Sequence, residues 1–194
     1  KQEFLKFYHT GELARSLKER IRNYVDHDFK VSSDCGFERG NQWFRYRAAA
    51  IIIENESVLM ARNDFDDYYY SIGGGVHFGE TAEDAVIREV QEETGVEYEI
   101  DHLAFINECF FNGDGTLNEK ECHVIEFYFL MKSKGKQEVH CTSMTQGVRE
   151  HMCWIPLKEI DQHKAFPLFF KEELTKIDHK IKHFVSDERS KVKI

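Results

Sequence analysis

The stretch Gly74–Val96, GGVHFGETAEDAVIREVQEETGV, decides how the rest of the chain is read. It passes from a glycine-rich turn into a helix expected over Ala82–Thr94, with Thr81 or Glu80 near its start and Gly95 just past its end, where a left-handed residue commonly closes a helix. The last two turns of that helix carry Arg88, Glu89, Glu92 and Glu93. At about 100° per residue, Glu89 and Glu93 lie roughly 40° apart around the axis, and Glu92 lies roughly 60° to the other side of Glu89. Three carboxylates therefore share one face. Like charges at this spacing destabilise a helix by a few tenths of a kcal/mol per pair, so the cluster calls for a compensating partner. A divalent cation supplies one, because hard cations such as Mg²⁺ take oxygen ligands. A bare acidic cluster would read more readily as a solvated face with structural ion pairs; the fixed spacing to the glycine turn argues against that.

The surrounding composition narrows the class of protein. The chain has 194 residues, 41% of them apolar, with 16 Phe and 8 Tyr, enough for one domain with a substantial core. A formal charge of −9 argues against nucleic-acid polymers or an anionic membrane as partners. A small phosphorylated ligand stays open, since a bound metal and a few Arg or Lys can reverse the sign inside a pocket. Five scattered cysteines without a CxxC pair read as reduced thiols rather than a disulfide framework or zinc site. There is no apolar run of 18 residues or more, and KQEFLKFYHTGE lacks a signal-peptide core, so the expected location is cytoplasmic.

Along the chain, Leu13, Leu17, Ile21 and Tyr24 recur at helical spacing and predict an amphipathic helix over Glu12–Val25, followed by a short strand at Asp28–Ser32. A glycine-containing loop, Cys35–Asn41, which could make a hairpin with the next strand, leads into WFRYRAAAIII (Trp43–Ile53), a strand whose continuously apolar second half suits a position buried on both faces. After a turn at Glu54–Glu56 the pattern predicts a strand at Ser57–Ala61, a polar and aromatic loop at Arg62–Tyr70, and the glycine turn. Beyond the helix, Glu97–Phe111 and Glu121–Lys132 read as antiparallel partners, Gly147–Glu150 as a loop and Met152–Ile155 as a strand. A short helix is expected around Leu157–Asp161. Phe170, Leu174, Ile177, Ile181 and Phe184 predict a long amphipathic helix after Pro167.

Gly74, five residues, Glu80, seven residues and then Arg88-Glu89-Val90-Gln91-Glu92-Glu93-Thr94-Gly95-Val96 resembles the Nudix box, G-x5-E-x7-R-E-U-x-E-E-x-G-U with U aliphatic, and matches it at every specified position. With typical residue usage, a chance match in such a chain has a probability on the order of 10⁻⁸ to 10⁻⁷. The resemblance, to the MutT-like Nudix hydrolases, implies an α/β fold: an α/β/α sandwich with a mixed β-sheet between helices over residues 42–170. Residues 1–41 would then be an N-terminal extension and 171–194 a C-terminal helix and tail. It further implies that Glu89, Glu92, Glu93 and the Gly73 carbonyl bind Mg²⁺ or Mn²⁺, that one of these glutamates can serve as base, and that Arg88 orients a carboxylate. Glu80 takes a bracing role in the same pattern. The implied reaction is attack of water on phosphorus in a diphosphate linked to a group X.

Other residues are candidates by position. Family members recruit a further carboxylate ahead of the last core strand, which points to Glu150, with Glu126 as a second candidate. Arg47 and Arg62 are candidates for substrate phosphates, and Tyr69, within Tyr68–Tyr70, for the base or ribose. Where many relatives read W-x-L-P-G-G, this chain has Tyr69-Tyr-Ser-Ile-Gly-Gly, and Phe110 and Phe111 stand where many ADP-ribose hydrolases carry proline. These departures favour a nucleoside triphosphate or related small nucleotide over the alternatives, an ADP-ribose or nucleotide-sugar pyrophosphatase or a non-catalytic nucleotide sensor. A homodimer is compatible with the resemblance, with the N-terminal segment as its candidate element.

Overall fold

Strand β2, Gln42–Ile51, runs through the middle of the molecule because its sequence lets it be buried on both faces. In the computed structural model, which describes residues 34–64, 67–140, 144–145 and 148–189, Ala48 to Ile52 are all essentially inaccessible. Side chains alternate along a strand, so this run feeds two cores at once. Ala48, Ala50 and Ile52 pack with Leu59, Ile72, Val86 and Val90 on one side. Ala49 and Ile51 pack with Met60, Phe105, Tyr128 and Phe170 on the other. Small alanines at the centre let the elements on both faces approach closely.

The strands form two sheets. Strand β1 (Gly36–Arg39) and, further along the same edge of β2, β6 (Gly73–Gly75) pair antiparallel with it; β8 (Glu121–Met131) pairs parallel on its other edge. Next come β7 (Ile100–Asn112), antiparallel to β8, and β12 (Lys182–Asp187), parallel to β7. The chain leaves the first sheet through β3 (Ile53–Glu54), turns at Asn55–Glu56, and enters the second through β4 (Ser57–Asn63). Both turn residues have positive φ, 51° and 59°, as the favoured two-residue hairpin requires. Strands β5 (Tyr69–Tyr70), β9 (Met144–Thr145), β10 (Val148–Pro156) and β11 (Ala165–Phe166) complete the second sheet, in the order β11-β5-β4-β10-β9. Helix α1, Ala82–Thr94, lies on the first core through Ala85, Val86 and Val90. Helix α2, Phe170–Glu173, with two 3₁₀ turns, covers the second core. The mixed sheets and helices make this an α/β fold, and among the described residues no helix is long and apolar enough to cross a membrane.

Three expectations change. The long helix after Pro167 is the four-residue α2, a 3₁₀ turn at Leu174–Lys176, and then strand β12. Phe170 and Leu174 do sit one helical turn apart in the core, but Lys182–Asp187 alternates half-buried and exposed, the period of a strand. The apolar spacing alone could not separate a helix from a turn followed by an edge strand. Cys35–Asn41, read as a glycine-containing loop able to make a hairpin with the next strand, contains strand β1, which pairs antiparallel with β2 in the first sheet. Gly147–Glu150, also read as a loop, contributes residues 148–150 to β10. The helix expected at 12–25 and the strand at 28–32 lie outside the described residues.

The strand assignment has a direct test. Phe184 stacks on Phe169 at 4.2 Å and meets Phe105 edge-on at 5.6 Å, whereas Ile181 is 55% exposed. Phe184→Ala should cost about 2–3 kcal/mol in denaturant unfolding and Ile181→Ala less than about 0.5 kcal/mol. A continuous amphipathic helix would make both substitutions costly.

Candidate active site

The glycine turn is pinched between β2 and α1. Gly73 has φ of 133°, and a Cβ there would lie 2.3 Å from the Ala48 carbonyl oxygen, so only glycine fits against β2. A Cβ on Gly74 would fall 2.4 Å from the Glu89 carboxylate. The missing side chain is therefore the space into which Glu89 reaches. Thr81 caps α1 by accepting from the Asp84 amide at 3.1 Å, and left-handed Gly95 (φ 69°) closes it, which fixes where along the axis Arg88, Glu89 and Glu93 emerge.

Arg88 ties turn and helix together. Its Nε and Nη2 donate to the two Glu80 oxygens at 2.9 and 3.0 Å, and Nη2 also donates to the Gly75 carbonyl at 3.1 Å. Nη1 donates to Glu89 Oε1 at 2.6 Å and to Glu92 Oε2 at 3.4 Å. The bidentate partner is thus Glu80 rather than Glu89, and Glu80 in turn accepts the His77 amide at 2.9 Å. The Arg88 guanidinium holds the Glu80 carboxyl down to about 2. Glu89 is mostly buried beside Gly74, while Glu92 stands at the rim with a largely exposed side chain.

Glu93 has a different environment. Burial, then the neighbouring Glu150 charge, push its carboxyl up to about 8 against a partly compensating Arg47. The Gly73 amide donates to Oε1 at 3.3 Å, and the buried Oε2 has no hydrogen-bond partner among the described residues. Glu150, at the start of β10 and buried, accepts the Tyr70 hydroxyl at 2.7 Å. Burial and the Glu150 carboxylate hold that hydroxyl protonated far above its ordinary range.

Behind the turn stands a second polar group. Arg47 donates from Nη1 to Ser71 Oγ at 3.0 Å and Glu126 Oε1 at 3.3 Å, and from Nη2 to the carbonyls of Ser71 (2.7 Å) and Gly73 (3.0 Å). Glu126 Oε2 accepts from Asn107 Nδ2 at 2.8 Å, and Asn107 Oδ1 accepts from Ser186 Oγ on β12 at 2.9 Å. The register opposes Arg47 to Glu126 on β2 and β8, and Asn107 to Glu126 on β7 and β8.

The fold therefore gathers Arg88, Glu89, Glu92, Glu93, Glu150 and Gly73 around one turn. It does not gather every candidate. Arg47 commits four of its five N–H donors to the turn and Glu126, so it braces the loop instead of offering a free fork to phosphate. Arg62 pairs in register with His151, one residue along from Glu150, and by strand alternation faces the opposite side of the second sheet. Tyr69 packs against the second core and edge-on to His163 at 5.3 Å, while its neighbour Tyr70 reaches the site. Sequence reasoning missed Asn107, Ser71 and Ser186; the one local signal was a glutamate at position 126 inside the otherwise apolar run Val124–Met131.

The donor set suits a hard cation. An orphaned buried carboxylate oxygen on Glu93, the Glu89 carboxylate against Gly74 and the Gly73 carbonyl are all oxygen donors. This arrangement has a pH signature. A carboxyl whose folded pKa is raised binds its proton more tightly in the folded state. Its penalty is absent below about 4.5, grows as pH rises and saturates above about 8. Metal-free protein should therefore lose a few kcal/mol of stability across that window. Glu93→Gln should flatten the loss, as should millimolar Mg²⁺; urea unfolding at stepped pH values checks both.

A family model for the NUDIX domain matches residues 44–176. Among solved structures, the Mutator MutT protein from Bacillus halodurans superposes with a TM-score of 0.58 at 17% identity, covering 75% of this chain and 91% of that one. The MutT protein from Methanosarcina mazei Go1 superposes with a TM-score of 0.51 at 21% identity, covering 69% and 91%. No curated protein matches the sequence significantly. With the family model spanning more than half of its length and the same fold in both structures, the chain belongs to the NUDIX domain family of pyrophosphate-bond hydrolases.

Proposed function

We propose that this Nudix hydrolase cleaves the phosphoric anhydride of a nucleoside diphosphate linked to X, with a nucleoside triphosphate or related small nucleotide as substrate. The observation that carries this reading is Glu93: a buried carboxylate with one unpartnered oxygen, beside the Gly73 turn and Glu150. Glu89, Glu92, Glu93 and the Gly73 carbonyl would hold Mg²⁺ or Mn²⁺. When bound, such an ion neutralises diphosphate charge and lowers the pKa of water.

The chain's own groups divide the remaining work. Arg88 keeps Glu80 on the turn and Glu89 against Gly74, so the carboxylates hold their geometry before substrate arrives. Arg47 fixes the Ser71 and Gly73 carbonyls. Glu150, steadied by Tyr70, takes the proton of the attacking water. The water oxygen bonds to phosphorus, the bridging P–O bond breaks, and the two phosphorylated products leave. Tyr68 and Tyr70, whose rings lie 6.2 Å apart, are the candidates for contact with the base.

A panel of nucleoside triphosphates, ADP-ribose and nucleotide sugars with Mg²⁺ or Mn²⁺, with products separated by chromatography, tests the reading. Release of a nucleoside monophosphate is expected; tight nucleotide binding without turnover of any diphosphate would defeat it. Glu93→Gln should lower kcat by about two orders of magnitude or more while the protein stays folded. Tyr70→Phe, which removes only the hydroxyl, should lower kcat about fivefold, the equivalent of about 1 kcal/mol for one hydrogen bond.

A further inference from the structure

At the far end of the first sheet, β7 departs from regular pairing. Ile100 opposes Met131 and His102 opposes Leu130, so Asp101 is the extra residue of a β-bulge. In a regular strand, adjacent side chains point to opposite faces. A bulge re-aims them, and here it sets the Asp101 and His102 side chains together, Oδ2 2.6 Å from Nδ1. The segment entering β12 brings a third group: the His179 ring lies 4.7 Å from that of His102, centroid to centroid. One ligand atom from each of the three residues lies within 4.8 Å of the others.

His102 Nδ1 faces the Asp101 carboxylate and Nε2 lies 2.9 Å from the Asp178 carbonyl, so both ring nitrogens meet oxygens that accept. A neutral imidazole has a single N–H and satisfies one of them, whereas an imidazolium donates to both. A metal ion shared with Asp101 at Nδ1 can take the place of that second proton while Nε2–H donates to the Asp178 carbonyl.

We propose that Asp101, His102 and His179 form a second metal site, for Zn²⁺ or a similar transition ion, that clasps the start of β7 to the chain entering β12. Two imidazoles and one carboxylate are a borderline-soft set that selects zinc, whereas the glutamate cluster is all oxygen and suits Mg²⁺ or Mn²⁺. Ligands of a tetrahedral zinc stand about 3.3 Å apart, given bond lengths of about 2.0–2.1 Å. The Asp101–His102 contact would open slightly and His179 would close. Asp101 and His179 are exposed and have room to do so. Water completes the fourth position. The clasp fastens a strand that lies beyond the segment matched by the family model.

The test uses the full chain with ZnCl₂ as probe and Mg²⁺ in large excess to occupy the glutamates. Calorimetry should give one equivalent bound at micromolar concentration, and long-range ¹H–¹⁵N spectra should show the ring nitrogens of His102 and His179 shifting together. The melting temperature should rise with zinc. His179→Ala should weaken binding at least about tenfold and abolish that rise, while His179→Cys, which restores a zinc ligand, should recover both. Unchanged affinity in His179→Ala, zinc that moves neither histidine, or binding only at millimolar concentration would overturn the proposal and leave a surface hydrogen-bond cluster. None of these readouts depends on hydrolysis.

Discussion

The five contacts of the Arg88 guanidinium are the constraint on which the site depends. A turn containing three consecutive glycines has little stiffness of its own. It acquires a fixed shape because one planar cation grips Glu80 through two parallel bonds and reaches the Gly75 carbonyl. The same group holds Glu89 and touches Glu92, so the position of the turn and the direction of the carboxylates are one variable. Lysine could not do this, since a point charge on a flexible stem lacks the fork. The rigid side of the joint is α1, whose Ala85, Val86 and Val90 are wholly buried against the sheet.

Charge balance shows what a cation would supply at such a site. Around the turn, Glu80, Glu89, Glu93, Glu126 and Glu150 lie near Arg47 and Arg88, the arginines whose guanidinium groups contact this cluster most directly among the described residues. The two arginines are already committed, Arg88 to Glu80 and Glu89 and Arg47 to Glu126 and the turn carbonyls. Glu93 and Glu150 repel one another in a poorly solvated place, a repulsion that Arg47 offsets only in part. Without a cation the protein relieves this by keeping a proton on Glu93 and by donating the Tyr70 hydroxyl to Glu150. Both devices cost stability or reactivity, and both are what a divalent ion would make unnecessary.

What the sequence makes legible follows from the range of the interactions. The helix from Ala82 to Thr94, its Thr81 cap, the Gly95 stop and the shared face of the glutamates are all set within a few residues of chain, so they can be read directly. The buried run Ala48–Ile52 is equally local, because an uninterrupted apolar strand has few other places to go. The role of Arg47 was not legible. It depends on a parallel pairing with Glu126, 79 residues away, and on Ser71 arriving from the other side. Tyr69 and Tyr70 differ by one position, and which of them meets Glu150 is fixed by the register of β5 against β4. The C-terminal segment was misread for another reason: five apolar residues at helical spacing are compatible with a helix until Ile181 is found in solvent and Phe184 in a strand.

The same segment changes where the site ends. Strand β12 lies past residue 176, where the family match stops, yet its Ser186 donates to Asn107, Asn107 to Glu126, and Glu126 receives the Arg47 that holds the Gly73 carbonyl. Asn107 is fully buried, so no water is at hand to replace a lost partner, and a buried polar chain of this kind is stable only when every member is satisfied. Removing the strand would therefore do more than expose Phe105 on the second core. It would strip one end of the chain that sets Arg47, and Arg47 sets the turn. By this route an edge strand with no carboxylate in the glutamate cluster becomes part of the scaffold that determines where Gly73 and Glu93 stand.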